Sequence, residues 1–246
     1  MKKYQNEYAS IRPQMYDKKS RELKGVRIVK TLEDYFGKGK LKNLTLLDVG
    51  ASTGIIDNVL AKHFKKVIGT DIDQGGISFA KKKFKQKNLV FKKEDAMALS
   101  FKDNQFDVVV CTHVYEHVPN AQKLFDEMHR VLRPGGVCYL AAINALWPIE
   151  PHYDLPFLSY LPKSMANIYI RVKGKNEYYE TPVTYWGLMK LTKSFVQIDY
   201  TAKILQRPKA FGYNNSVFDF VPKIFFNMFS SIAKYIAPTT FWILVK

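Results

Sequence analysis

Between Leu44 and Leu140 short apolar runs alternate with helical patterns and turn signals, and this alternation confines the chain to few architectures. Strands separated by helices lie parallel, because a parallel crossover needs about a dozen residues and a helix supplies them. Leu44-Thr45-Leu46-Leu47 is the first buried run, followed by a loop from Gly50 to Gly54 and a helix carrying Ile55, Val59, Leu60 and Phe64. Val67-Ile68-Gly69-Thr70 is the second, closed by Asp71. A Gly75-Gly76 turn and a lysine-rich helix with Ile77, Phe79, Ala80 and Phe84 on its apolar side lead to a third run, Leu89-Val90-Phe91. Phe106 to Cys111 is the fourth. Leu124, Phe125, Met128, Val131 and Leu132 then fall at helical spacing, and Arg133-Pro134-Gly135-Gly136 stops that helix before a fifth strand, Val137 to Ala142.

The alternation breaks at Asn144. Prolines at 148, 151, 156, 162 and 182 among many aromatic residues predict an irregular, packed excursion, and long insertions in compact folds are often functional. Regularity resumes with a helix opened by Thr184, a strand around Phe195 to Ile204 and a final strand from Phe241 to Val245. Phe218, Val221, Ile224, Phe225, Met228, Ile232 and Ile236 fall at helical spacing between these last two strands. So broad an apolar face is to be buried in the core, at a dimer interface or on a membrane surface. Upstream of Leu44 an amphipathic helix with Leu23, Val26, Ile28, Val29, Leu32 and Phe36 covers one edge of the sheet or lies over a ligand.

The loop Asp48-Val49-Gly50-Ala51-Ser52-Thr53-Gly54 sits at a strand-to-helix junction, where glycine permits close backbone approach and helix-start amides face a ligand. Its spacing departs from the dinucleotide pattern GxGxxG. The carboxylate of Asp48 would repel a pyrophosphate but suits a cationic ligand. Asp71 ends the second strand twenty-one residues after Gly50, where an acid can accept both hydroxyls of a ribose. Ile72 is placed to lie on an adenine face, and Asp95 and the Ala96 amide, just beyond the third strand, to meet the adenine edge. Three acids after three successive strands share one sheet edge, and open parallel sheets bind ligands at that edge.

These segments, with Phe106-Asp107-Val108-Val109-Val110, Glu116-His117-Val118 and Arg130-Val131-Leu132-Arg133-Pro134-Gly135-Gly136, resemble the ordered motifs of class I S-adenosylmethionine-dependent methyltransferases. The resemblance spans residues 44 to 142 and is to small-molecule members of the group. It implies a Rossmann-like, doubly wound α/β sheet of seven strands with an antiparallel last strand, which the two late strands supply. It implies a helical cap over 1–43 and a methyltransferase domain over 44–246, with a cofactor-binding core at 44–142 and acceptor or lid insertions at 144–183 and 206–239. By the same resemblance Gly50 and Gly54 hold the methionine part of S-adenosylmethionine, Asp71 its ribose and Asp95 its adenine. The middle glycine of the family loop is Ser52 here, a change a loop tolerates when that residue is not left-handed.

Methyl transfer mainly requires alignment of a nucleophile with the sulfonium, and a base is needed only where an alcohol or phenol must lose its proton. His113, Glu116, His117 and His152 are the candidates. His113 follows the fourth strand and is placed to touch the methionine part. His152, just beyond the fifth strand, is expected to act in its neutral form on the acceptor. No metal-ligating set is read from the sequence.

The formal charge of +16 attracts nucleic acid, anionic lipid or acidic substrates alike. Ten lysines between Lys62 and Lys93, clustered from Lys81 to Lys87, form a solvated helix face. The two cysteines, Cys111 and Cys138, lie in apolar runs and are expected in the core, so no disulfide framework is expected and a reducing compartment fits better. The start of the chain lacks an export signal and no window has the ~18 apolar residues of a spanning helix, which together predict a cytoplasmic protein, peripheral on a membrane if the apolar helix docks there. The acceptor is a small or lipid-like molecule, such as a quinone precursor or a lipid-linked glycan. RNA is the weaker alternative, because neither an appended RNA-binding module nor an Asn-Pro-Pro-Tyr-like tetrad is present. A non-catalytic scaffold and a homodimer stay open; a dinucleotide oxidoreductase is disfavoured by the loop spacing and Asp48.

Overall fold

The computed structural model describes residues 5–174, 177–213 and 232–246. Its strands are β1 (Thr45–Val49), β2 (Lys66–Asp71), β3 (Leu89–Lys93), β4 (Phe106–Thr112), β5 (Leu132–Ile143), β6 (Ile149–Glu150), β7 (Leu155–Pro156), β8 (Val196–Asp199) and β9 (Thr239–Val245). Its helices are α1 (Tyr8–Ile11), α2 (Lys18–Phe36), α3 (Ile55–Leu60), α4 (Gln74–Lys83), α5 (Ala121–Val131), α6 (Lys163–Val172), α7 (Tyr185–Leu191) and α8 (Thr201–Gln206). Seven strands form one sheet in the order β3-β2-β1-β4-β5-β9-β8. The first five pair in parallel, and β9 runs antiparallel between β5 and β8. This is the seven-stranded sheet with an antiparallel last strand that the sequence implied.

Alternate residues of each strand feed opposite cores, as the two-residue period of a strand requires. Leu46, Val67, Val108, Val110, Tyr139 and Ile243 pack with Ile28 and Leu32 of α2, Ile56 and Leu60 of α3, and Ile77 of α4. Leu47, Ile68, Val109, Cys111, Cys138, Leu140 and Trp242 pack on the other face with Leu124, Phe125 and Met128 of α5 and Leu188 of α7. Both cysteines are buried and free, the core role expected of them. A third, smaller cluster of Leu155, Leu158, Ala166, Ile170 and Tyr178 holds the excursion after β5 together. That excursion contains the β6–β7 hairpin and α6 rather than unbroken loop.

Two local expectations need correction. The strand around Phe195 to Ile204 ends at Asp199, and Thr201 to Gln206 are helical, because Asp199 Oδ1 accepts the Thr201 amide at 2.7 Å and turns the chain. Gly75 and Gly76 are not a turn ahead of α4 but its first residues; the Asp73 carboxylate caps both amides, and a Cβ on Gly76 would lie 2.8 Å from the Ser52 carbonyl oxygen. The amphipathic helix before β1 extends to Lys18 and is preceded by α1 and a 3-10 turn at Pro13–Tyr16. Of the late apolar face, the positions up to 231 lie outside the described residues; residues 232–236 are helical, with Ile232 and Ile236 exposed. Among the described residues no helix is long and apolar enough to cross a membrane. The lysines from Lys81 to Lys87 are solvent-exposed, as a solvated helix face requires.

Candidate active site

The carboxyl ends of β1, β2, β3 and β4 open onto a cavity of about 340 Å³, and the turns after β5 together with the segment before α2 close it over. Open parallel sheets present this edge because the loops leaving successive strands diverge there. Gly50, Ser52, Asp71, Ile72, Asp95, Ala96, His113, His117 and His152 all face it. Asp48, Ala51 and Gly54 do not: they sit behind the wall and shape it. Gly50 has φ +91° and a Cβ there would lie 2.4 Å from Val114 Cγ2; Gly54 has φ +71° and a Cβ there would lie 2.5 Å from the Phe91 ring. Only glycine lets the loop close against these side chains.

Asp71 organises the end of the cavity beyond β2. Its Oδ2 accepts the Ser52 amide at 2.8 Å and its Oδ1 the Asp73 amide at 2.9 Å, leaving further lone pairs on both oxygens toward the cavity. Burial raises its pKa above the usual carboxylate range, against the two amides that stabilise the anion. Asp95 Oδ1 accepts the Met97 amide at 2.9 Å, which holds the carboxylate at the cavity edge. Ser52 departs from the tolerance condition read from the sequence. Its φ is +53°, left-handed, a region that costs a non-glycine residue about 1 kcal/mol or more, and the amide bond to Asp71 holds it there. Its buried Oγ has no hydrogen-bond partner among the described residues and lies at the cavity wall.

Asp48 is 2% exposed and lies against Asp57. Burial pushes its pKa up to about 7, opposed by Arg21, and burial together with the Asp48 charge raises Asp57 well above the ordinary carboxylate range. Arg21, on α2, is buried at the cavity with the charges of Asp48, Asp57 and Asp71 around it, and its Nε has no hydrogen-bond partner among the described residues. Sequence reasoning missed Arg21. It falls three residues before Lys24, which also lines the cavity, so a basic pair on an otherwise amphipathic helix was the available signal.

The opposite end gathers histidines and glutamates from distant segments. His113, at φ +55° after β4, is anchored by its amide to the Ala141 carbonyl at 2.8 Å; burial, then Lys24 and His152, lower its pKa to about 3. His117 and His152 meet at 3.1 Å between their Nε2 atoms. Gln5 Oε1 lies 2.9 Å from His117 Nδ1, and Glu150 Oε1 lies 2.8 Å from His152 Nδ1. Glu150 also accepts the amides of His152 and Tyr153. Glu116 and Glu180 are fully buried beside them, with carboxylate oxygens 4.0 Å and 3.7 Å from the His117 ring nitrogens. Burial pushes Glu116 up to about 7. His152 is drawn in two directions. Burial pulls its pKa down, but the bond to Glu150 and the charges of Glu180 and Glu116 outweigh that and leave it above the ordinary value.

The segment before α2 straps these two ends together. The Ala9 amide donates to Asp73 Oδ2 at 2.7 Å and Thr53 Oγ1 donates to the Met15 carbonyl at 2.6 Å on the nucleoside side. Arg12 donates to the His152 carbonyl at 2.8 Å, with Glu180 at 3.8 Å, and the Tyr8 ring packs on His117 at 4.8 Å on the other.

Residues 47–140 match a known family, described as a methyltransferase domain. A ubiquinone biosynthesis O-methyltransferase of Coxiella burnetii is 32% identical over 106 residues, 42% of this chain and 45% of that protein. An uncharacterized methyltransferase of Mycobacterium avium is 34% identical over 138 residues, 54% of each chain. The chain thus spans about half the length of these relatives. The solved structure of an S-adenosylmethionine-dependent methyltransferase from Mesorhizobium loti superposes with a TM-score of 0.58 over 91% of this chain and all of that one, at 15% identity, a likeness of fold. The residues at the cavity fit the group's cofactor: an acid with free lone pairs at the nucleoside end, an unpartnered buried hydroxyl and a buried guanidinium at the methionine end. Its strand order, the methyltransferase domain matched over residues 47–140 and this cavity are similar to those of the class I S-adenosylmethionine-dependent methyltransferases.

Proposed function

We propose that the chain transfers a methyl group from S-adenosylmethionine to a hydroxyl of a small or lipid-like acceptor. The observation that carries this reading is the two-ended cavity, with a carboxylate for a ribose at one end and a histidine–glutamate cluster at the other. When bound, S-adenosylmethionine supplies an electrophilic sulfonium methyl and leaves as the neutral thioether S-adenosylhomocysteine.

Asp71 holds the ribose hydroxyls through the lone pairs its two amide bonds leave over. Ile72, Asp95 and Ala96 receive the adenine. Gly50, Ser52 and His113 border the methionine part, and Arg21 takes its carboxylate. His117 and His152 orient the acceptor hydroxyl and govern its proton, and the strap from Gln5 to Tyr16 keeps water out of the cavity while both ligands are aligned.

A lipid-like acceptor is supported by α6. Met165, Ile168 and Val172 lie along one exposed face of it, Phe157 and Tyr160 are exposed just before it, and Arg171 and Lys173 flank it. An apolar face bordered by cations suits an anionic lipid surface. Cosedimentation with anionic but not neutral vesicles, weakened in Ile168→Asp, checks this surface; equal recovery with both vesicles removes it.

The transfer itself is tested by calorimetric titration with S-adenosylhomocysteine, followed by a methyl-transfer screen on hydroxylated aromatic and lipid-like acceptors. Saturable binding and methylation at oxygen are expected. A folded chain that binds no S-adenosylhomocysteine would overturn the reading in favour of a scaffold.

A further inference from the structure

We infer that the sheet edge opposite the cavity is a docking surface for a nucleic-acid duplex, held by its phosphate backbone. β1, β2 and β3 lie side by side and run parallel, so the segments that lead into them share one edge of the sheet. The loops that leave them share the other edge, where the cavity opens. The three leading segments, 38–42, 62–66 and 81–87, carry eleven lysines and no aspartate or glutamate. All eleven lysines are exposed.

The segments are locked to one another. The Lys65 amide donates to the Leu44 carbonyl at 3.0 Å, which joins the second segment to the start of β1. Asn88 Nδ2 donates to the carbonyls of Ala61 and Phe64 at 2.7 and 3.0 Å, and Gln86 Nε2 to that of Asn58 at 3.3 Å, which joins the third segment to the second. The lysine backbones therefore keep fixed relative positions. A ligand orders only their side chains, not the loops that carry them, and so meets a smaller entropic penalty.

The charge of this edge is left uncompensated by the fold. Among the described residues the lysines in ion pairs are Lys18, Lys203 and Lys234, none of them here. The acids at the neighbouring strand start are already engaged: Asp107 by Arg133 and the Thr45 amide, Asp103 by Arg130. Like charges crowded together repel one another and work against the compact state. The dipole of α4 offsets this for Lys81, Lys82 and Lys83 in its last turn, but not for the lysines of the other two segments. A polyanion offsets it for all of them, and gains by releasing its own counterions.

The form of the surface favours a duplex over a lipid headgroup layer. Interfacial helices bury apolar side chains beside their cations, and none of the exposed large apolar side chains falls in these three segments. Lys81, Lys82 and Lys83 are consecutive in a helix, so they leave it about 100° apart. A flat headgroup layer meets such divergent cations on one side only, whereas the phosphate ridges bordering a groove meet a helix end from both. Phe64 is buried and Phe84 packs on the core, so no ring is free to stack an unpaired base. Contact is then to the backbone, without sequence preference. A duplex on this edge lies away from the cavity and tethers the chain without being its methyl acceptor.

The test is titration of the full chain into short fluorescent RNA and DNA duplexes of arbitrary sequence, followed by anisotropy at several salt concentrations. Saturable binding is expected, with log affinity falling against log salt at a slope of about −4 to −6, as when about five to seven lysines each neutralise a phosphate. The triple variant Lys62→Glu, Lys65→Glu, Lys85→Glu should bind roughly 100-fold more weakly. A variant with the same change of net charge elsewhere, Lys19→Glu, Lys123→Glu, Lys190→Glu, should stay within about threefold of wild type, because salt screens distant charges. Circular dichroism checks the folding of both. In wild type, which needs no variant to fold, the duplex should protect the lysines of the three segments from acetylation, read by mass spectrometry. No saturable binding to either duplex, equal loss in both variants, unprotected edge lysines, or capture of this edge by phosphatidylserine vesicles in preference to duplexes would overturn the surface. None of these outcomes bears on S-adenosylhomocysteine binding, so the transfer reading stands or falls separately.

Discussion

The two ends of the cavity are built by opposite means. At the nucleoside end each contributing residue stands at or just after one strand, and its bonds are local: Asp71 with Ser52 and Asp73, Asp95 with Met97. At the acceptor end Gln5, His117 and His152 meet across 112 and 35 residues of chain. The first construction tolerates change elsewhere, because the sheet itself delivers the carboxylates to the edge. The second depends on the strap, the excursion after β5 and the turn after β4 all being in place together. One end is a property of the fold, the other a property of this particular chain.

The sharpest way to break that contrast is Asp71→Ala. It should weaken S-adenosylhomocysteine by about 100-fold in calorimetry, the scale of losing hydrogen bonds to a charged group; affinity within about twofold of wild type would mean that Asp71 does not hold the nucleoside. His152→Ala should do the reverse. Turnover with a hydroxylated acceptor is expected to fall on the order of 10²-fold, with S-adenosylhomocysteine affinity within about twofold, and unaltered turnover would remove His152 from the chemistry. Arg12→Ala sharpens the comparison from the strap. Losing the bond to the His152 carbonyl should free the strap and raise the dissociation rate of S-adenosylhomocysteine several-fold by stopped-flow fluorescence, since lids of this kind set release rates.

The smallest effect concerns pH. Asp48 and Asp57 have pKa values raised above the ordinary 3.8, Asp48 to about 7, so the folded chain holds a proton that the unfolded chain loses near pH 4. Stability from this pair is complete below that range and declines as pH rises toward 7. Asp57→Asn removes one of the two charges, and its melting temperature should therefore gain on wild type by a few degrees as pH rises from about 5 to 8, seen by scanning calorimetry. A constant difference across that range would refute the raised pKa of the pair.

Legibility in the sequence follows the same division. The five parallel strands, the glycine loop, Asp71 and Asp95 could all be read, because each is announced by a pattern within about ten residues of itself: an apolar run, a turn, an acid. His113, His117 and His152 could be named as candidates from their places after β4 and β5, but not their mutual contact, nor the glutamates Glu150 and Glu180, which look like ordinary surface acids until the excursion folds back over them. Arg21 and the strap were hidden for the same reason: nothing near Tyr8 or Arg12 in the chain refers to the loops they meet. For Ser52 the deciding dihedral was not legible, since the bond that holds its left-handed backbone comes from Asp71.

The place of β9 has a consequence for how the chain is made. β5 ends at Ile143, yet the neighbour that completes its pairing is Thr239–Val245, and β8 reaches the sheet only through that same strand. During synthesis the outer edge of β5 thus waits for roughly a hundred residues, some 5–20 s at ribosomal speed, with its backbone groups unpaired and Trp242, Ile243 and Leu244 not yet there to cover it. An open apolar edge of this kind invites pairing with another nascent chain. Slowed translation after residue 200, or a chaperone that shields β5, should therefore change the yield of folded protein more than any substitution at the cavity.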